Sequence, residues 1–143
     1  MVYPAGGEVQ RLFTYLWIAI GGALGSMARY ATSSVAAHAF GETFPWGTLI
    51  VNVVGSFVIG FFATLTGPDG RWLLPPDARL FVTIGVCGGY TTFSSFSLQT
   101  LNLVRTGEFG AAFGNVAISM GLCLISVWAG FVAGALINRA KGG

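Results

Sequence analysis

The sequence predicts an all-α integral membrane protein with four transmembrane helices, forming one domain over residues 1–143. Charged residues make up 8% of the chain, against roughly 25% in an ordinary soluble domain. Apolar residues make up 54%, so the chain has too little charge to cover a soluble surface. The few charges also separate long uncharged runs. With the first run continued past Arg29, each is long enough to cross a bilayer core about 30 Å thick, which takes about 20 helical residues.

The boundaries of these runs predict the four helices and the chemistry of their ends. Pro45 suits the first position of a helix, and Trp46 suits the depth of the lipid headgroups. Asp77 and Glu108 fall in the first turns of the third and fourth helices, where the helix dipole favours an acid. The helices are expected at about residues 12–37, 45–67, 77–104 and 107–139.

The third helix is expected to break in the middle of the membrane. Gly88 and Gly89 are followed closely by Thr91 and Thr92, and these residue types are poor helix formers. A break frees backbone carbonyls, which are tolerated at that depth only where protein, water or an ion satisfies them. Carbonyls at the break of a transmembrane helix can bind a cation. Alternatively, the glycines admit a neighbouring helix at a close crossing, and both interpretations remain open.

Uncharged polar residues form two stripes at helical spacing. One interpretation is that these side chains join neighbouring helices by hydrogen bonds, and the other is that they supply donors to a polar pathway. For Asn52 the pathway is favoured, because a full amide at mid-span is hard to satisfy locally. The stripes comprise Thr48, Asn52 and Ser56 in the second helix, and Asn115, Ser119, Cys123 and Ser126 in the fourth.

Two phenylalanines share a polar neighbourhood just after the expected break. Phe93 and Phe96 lie three residues apart and therefore on one helix face, among hydroxyl residues such as Ser94 and Ser95. An aromatic ring has a positive edge. These two rings are therefore candidates to face a small, hard anion.

Several classes of function are excluded by what the sequence lacks. The runs 43–68, 80–104 and 109–138 contain no Asp, Glu, Lys or His, whereas proton-coupled exchangers usually keep an ionisable residue at depth. His38 is the only histidine and has no nearby pattern for a metal or a catalytic dyad. The net charge of +2 is too small to suggest a nucleic-acid partner. We therefore expect a protein that is not an enzyme.

Three segments together resemble the CrcB/Fluc family of fluoride channels. They are GGALGSMAR at residues 21–29, GTLIVNVVG at residues 47–55 and GGYTTFSSFS at residues 88–97. The resemblance implies a fluoride-selective passive channel that exports fluoride from the cytoplasm through the plasma (inner) membrane of a prokaryote. It also implies an antiparallel, dual-topology homodimer with two pores, whose partners are fluoride, a second copy of the chain and the lipid bilayer.

The resemblance also assigns residues to roles. It places a structural sodium ion at the dimer centre, held by the backbone carbonyls of Gly88 and Thr91 from each chain. It makes Asn52 the pore amide and Phe93 and Phe96 the aromatic pair beside the ion path. The remaining assignments are Thr48, Ser95, Ser119 and Cys123 in the pore, and Arg29 at the vestibule.

Two residues depart from the family pattern, and one rival function is left. Cys123 stands where a hydroxyl residue is common, and a thiol is the weaker donor. Asn115 stands where a tyrosine can occur, so the resemblance assigns it no role.

The rival is a dual-topology, four-helix exporter of small organic cations, similar to the small multidrug resistance proteins. Such an exporter is expected to use a carboxylate within the membrane, which this chain lacks.

Overall fold

A computed structural model describes residues 6–140, which form helices joined by short loops and include no strand. The all-α prediction is thus confirmed over these residues. In chain order the helices are α1 (Gly6–Phe40), α2 (Trp46–Leu65), α3 (residues 76–90), α4 (Phe93–Arg105) and α5 (Phe109–Arg139). Within α3, an α-helical turn at Pro76–Leu80 is followed by π-helical turns at Phe81–Cys87 and a last α-helical turn at Gly88–Tyr90.

The first helix is longer at both ends than the apolar run from which it was predicted. It begins at Gly6 and continues to Phe40, because a helix does not have to end where its apolar residues do. Gly41 ends it with φ = +79°, a left-handed conformation that glycine adopts without strain. The Gly41 N–H donates to the Ala37 carbonyl at 2.9 Å, so the last turn is closed.

The third predicted span consists of two helices. Thr91 (φ −86°, ψ 159°) and Thr92 (φ −154°, ψ 114°) are both extended, and they separate α3 from α4. The π-helical turns of α3 were not predicted. Such turns are rare and occur often at functional sites.

Glycines bring the backbones of neighbouring helices into contact. A Cβ atom at Gly25 of α1 would collide with the Val86 carbonyl of α3, and one at Gly130 of α5 would collide with the Phe57 carbonyl of α2. A Cβ atom at Gly89 would meet the backbone of Gly22 in α1, whereas one at Gly88 would find no atom closer than 3.9 Å. The close-crossing interpretation therefore accounts for Gly89 and leaves Gly88 unexplained.

Two helices of the described residues, Trp46–Leu65 and Phe109–Arg139, are long and apolar enough to cross a membrane. Of the other predicted spans, α1 carries Arg29 and the third is interrupted at Thr91. Large apolar side chains such as Phe113, Leu124 and Trp128 are exposed along α5. An apolar surface of this extent is covered by lipid or by another protein surface.

Candidate ion pathway

Asn52 of α2 holds the break between α3 and α4. Its amide Nδ2 donates to the Thr92 carbonyl at 3.0 Å, and the Thr92 N–H donates back to Asn52 Oδ1 at 2.7 Å. In a continuous helix the Thr92 N–H would instead donate to the carbonyl of Gly88, four residues earlier. Asn52 therefore replaces the helical partner of Thr92 and releases the Gly88 carbonyl from its usual donor.

The side chain of Thr92 caps the following helix and diverts a second amide. Its Oγ1 accepts from the Ser95 N–H at 3.1 Å and donates to Ser95 Oγ at 3.0 Å. In a continuous helix the Ser95 N–H would serve the carbonyl of Thr91. Both carbonyls that the family resemblance assigns to a cation thus have helical donors that are used elsewhere.

Two cavities share a lining residue at this break. The first, which we call the aromatic cavity, has a volume of about 300 Å³, and the second, the arginine cavity, has about 600 Å³. Thr92 lines both. The aromatic cavity is lined by the predicted site residues Asn52, Gly88, Thr91, Phe93, Phe96, Ser119 and Cys123. The arginine cavity is lined by the predicted site residues Arg29, Thr48 and Ser95.

The two phenylalanines contact each other but differ in exposure. Their ring centroids lie 5.3 Å apart with an interplanar angle of 44°. Phe96 is 9% exposed, whereas Phe93 is 72% exposed. Only one ring of the pair is therefore enclosed by its own chain.

Asn115, to which the family resemblance assigned no role, joins α5 to α4. Its side chain is 1% exposed, and its Nδ2 donates to Thr100 Oγ1 at 2.8 Å. Ser119 donates to Asn115 Oδ1 at 3.3 Å, and Thr100 donates to the Phe96 carbonyl at 2.8 Å. The helix-joining interpretation of the polar stripe is therefore confirmed for Asn115, whereas its partner Thr100 on another helix was not predicted.

The hydrogen bonds show which polar protons remain for an anion. The Thr91 hydroxyl donates to the Cys87 carbonyl at 2.9 Å, and the Ser119 hydroxyl is used by Asn115. The Ser95 hydroxyl accepts from Thr92, so its own proton remains available. Asn52 uses one of its two amide protons on the Thr92 carbonyl and retains the other. Asn52 therefore supplies an uncommitted donor to the aromatic cavity, and Ser95 supplies one to the arginine cavity.

Charged and metal-binding groups are sparse around the pathway. Arg29 is half-buried, and it lines the arginine cavity together with Glu42. No group of three or more His, Cys, Asp or Glu residues within residues 6–140 is placed to hold a metal ion. A cation bound in this part of the chain would have to rely on other oxygens, such as backbone carbonyls.

Comparison with known proteins agrees with the three segments that suggested the family. The family model described as CrcB-like protein, Camphor Resistance (CrcB), matches residues 16–131. A "fluoride-specific ion channel FluC" of Opitutus terrae is 62% identical over 128 residues, which cover 90% of this chain and 97% of that protein. Proteins of the same name from Methylocella silvestris and Rhodospirillum rubrum are 57% and 60% identical, covering 90% and 88% of this chain and 98% of each relative. The chain therefore belongs to the CrcB family.

Proposed function

We propose that this chain is a fluoride-selective passive ion channel that exports fluoride from the cytoplasm and relieves its toxicity. The main support is the junction at Asn52 and Thr92, where uncharged donors face two cavities that are both lined by Thr92. The chain is similar over most of its length to proteins named fluoride-specific ion channels. No acidic side chain lines the aromatic cavity, which disfavours the rival exporter of organic cations.

The proposed mechanism is replacement of water by protein donors. Fluoride is small and strongly hydrated, so a pore conducts it only if hydrogen-bond donors take the place of water. The Ser95 hydroxyl and the second amide proton of Asn52 supply such donors at the break, and the ring edges of Phe93 and Phe96 extend the favourable surface. Uncharged donors hold the ion weakly enough for it to leave. A negative cell interior then drives the anion outward by about 2.3 kcal/mol per 100 mV.

The dimensions of α3 and α4 support a break near the middle of the bilayer. With a rise of about 1.5 Å per residue, α3 and α4 each extend about 20 Å. Placed end to end along the bilayer normal, they would match a bilayer about 40–45 Å thick including its headgroups. The break then lies about equally far from Pro76 at one end and Arg105 at the other.

The proposed assembly is an antiparallel, dual-topology homodimer. The exposed apolar faces and the exposed ring of Phe93 support a second copy as the cover for part of the surface. A twofold axis near the break would bring together the Gly88 and Thr91 carbonyls of both chains. Four such oxygens without carboxylates suit a monovalent cation such as sodium better than calcium or magnesium. Bound there, sodium would join the two chains and add positive potential beside the pores.

A structural sodium ion should not be transported with fluoride. We expect the reversal potential of the fluoride current in planar bilayers to follow the fluoride gradient alone. When the fluoride concentration is equal on both sides, a tenfold sodium gradient should leave the reversal potential at zero. A reversal potential that moves with the sodium gradient would show coupled transport and contradict the structural role.

Replacing Phe93 or Phe96 with isoleucine should slow fluoride efflux while keeping apolar bulk at each position. The expected loss is about tenfold, because a ring-edge contact contributes on the order of 1 kcal/mol. Efflux from liposomes measured with a fluoride electrode gives the rate. Phe113→Ile, at an exposed position of α5, is the matched control and should conduct normally. Normal rates in both test variants would make the two rings packing residues only.

The same liposome assay separates the two candidate functions. Fluoride efflux without chloride efflux, and without movement of a tetraalkylammonium ion, supports the channel. Proton-driven uptake of the organic cation, with no fluoride efflux, would overturn the proposed channel function in favour of the exporter.

A further inference from the structure

An apolar segment between α2 and α3 lies on the surface of the chain. Trp72 is 48% exposed and Leu73 is 85% exposed, and Leu74 beside them is also exposed. Connecting loops are usually polar because they face water. Three consecutive apolar residues with exposed side chains therefore indicate that the segment has another environment.

The backbone of this segment is fixed to the ends of two helices. The Trp72 N–H donates to the carbonyl of Leu65, the last residue of α2, at 2.9 Å. The Arg71 N–H donates to Asn138 Oδ1 near the end of α5 at 3.0 Å, and Asn138 Nδ2 donates to the Thr64 carbonyl at 3.0 Å. The segment is thus held at the level where the two most apolar helices end.

That level is the headgroup region of a bilayer crossed by α2 and α5. Tryptophan is enriched there because its ring is apolar and its N–H is polar. The exposed side chains of Arg71 and Arg139 lie at the same end of the molecule, and arginine near a helix end extends to lipid phosphates. An apolar centre between basic residues matches this environment better than it matches water.

We propose that residues 71–74 form an interfacial anchor that inserts into the headgroup region of the bilayer. Trp72 and Leu73 occupy the boundary between headgroups and acyl chains, and Arg71 pairs with lipid phosphate. The anchor goes beyond ion conduction, because it fixes the depth of α3, which begins directly after it at Pro76. In doing so it fixes the depth of the break at Thr91 and Thr92.

The depth of Trp72 tests this anchor in the full-length channel. The channel is reconstituted in phosphatidylcholine liposomes with lipids brominated near the headgroup or near the chain end, and its fluorescence is compared with that of Trp72→Phe. The difference isolates Trp72, and we expect shallow bromines to quench it at least about twofold more than deep ones. Trp128→Phe is the matched control, because Trp128 lies within α5 and should be quenched more by the deep bromines.

Two results would overturn the anchor. Quenching of Trp72 by aqueous iodide but by neither brominated lipid would place the segment in water. Protection from iodide and from both lipids would place it against protein, such as a second copy of the chain. If Trp72→Phe does not fold, Trp72→Tyr supplies the same difference spectrum, because tyrosine is not excited at 295 nm.

Discussion

Replacing Asn52 with alanine is expected to abolish fluoride efflux. The substitution removes the uncommitted amide proton and also both hydrogen bonds to the Thr92 backbone. A buried polar group left without its partner costs about 1–3 kcal/mol, so the break itself should rearrange. Together these losses predict a reduction of at least about a hundredfold in the initial efflux rate, measured with a fluoride electrode on liposomes.

Two further variants separate the donor of Asn52 from its structural role. Asn52→Asp keeps an oxygen that can accept from the Thr92 N–H, but it cannot donate to the Thr92 carbonyl and it replaces the amide protons with a negative charge. It should retain more of the folded protein than Asn52→Ala, because one of the two hydrogen bonds remains, and still not conduct. Asn102→Ala removes an amide that lies away from the break and should conduct normally. Normal efflux by a folded Asn52→Ala variant would show that Asn52 only joins helices.

The sequence predicted the position of the break but not the contact that holds it. Paired glycines and threonines are poor helix formers wherever they occur, so their effect on α3 could be read locally. Asn52 could also be identified locally, because a full amide in the middle of an apolar span is unusual. Its partner is the backbone of Thr92, 40 residues away, and no local pattern encodes that pairing. The sequence therefore pointed to both residues separately and did not reveal that Asn52 is part of the break.

The same limit explains the network of Asn115 and the π-helical turns. Asn115 finds its partner on α4, so only the packing of α5 against α4 shows that its amide is satisfied. The wide turns at Phe81–Cys87 contain apolar residues that would also suit an ordinary α-helix. They lie where Gly21 and Gly25 bring the α1 backbone against α3. The wide turns thus coincide with a tertiary contact, which periodicity does not reveal.

Replacing Gly25 with alanine is expected to destabilise the fold strongly. A Cβ atom there would collide with the Val86 carbonyl and would lie 2.8 Å from the Tyr90 nitrogen. Both obstacles are backbone atoms of α3, so the helices have to move apart. Overpacking of this kind costs about 1–3 kcal/mol or more. Because Tyr90 directly precedes the break, the displacement should also impair efflux in the fraction that folds.

Gly22→Ala is the matched control, since it lies in the same helix and a Cβ atom there meets nothing within 4 Å. Alanine is favoured over glycine inside a helix by about 1 kcal/mol, so this variant should be as stable as the parent or slightly more stable. The fraction of protein that stays monodisperse after heating, measured by size-exclusion chromatography, compares the two variants. Equal thermal stability of Gly25→Ala and Gly22→Ala would mean that α1 and α3 do not touch at Gly25. The break would then have to be held by Asn52 without support from α1.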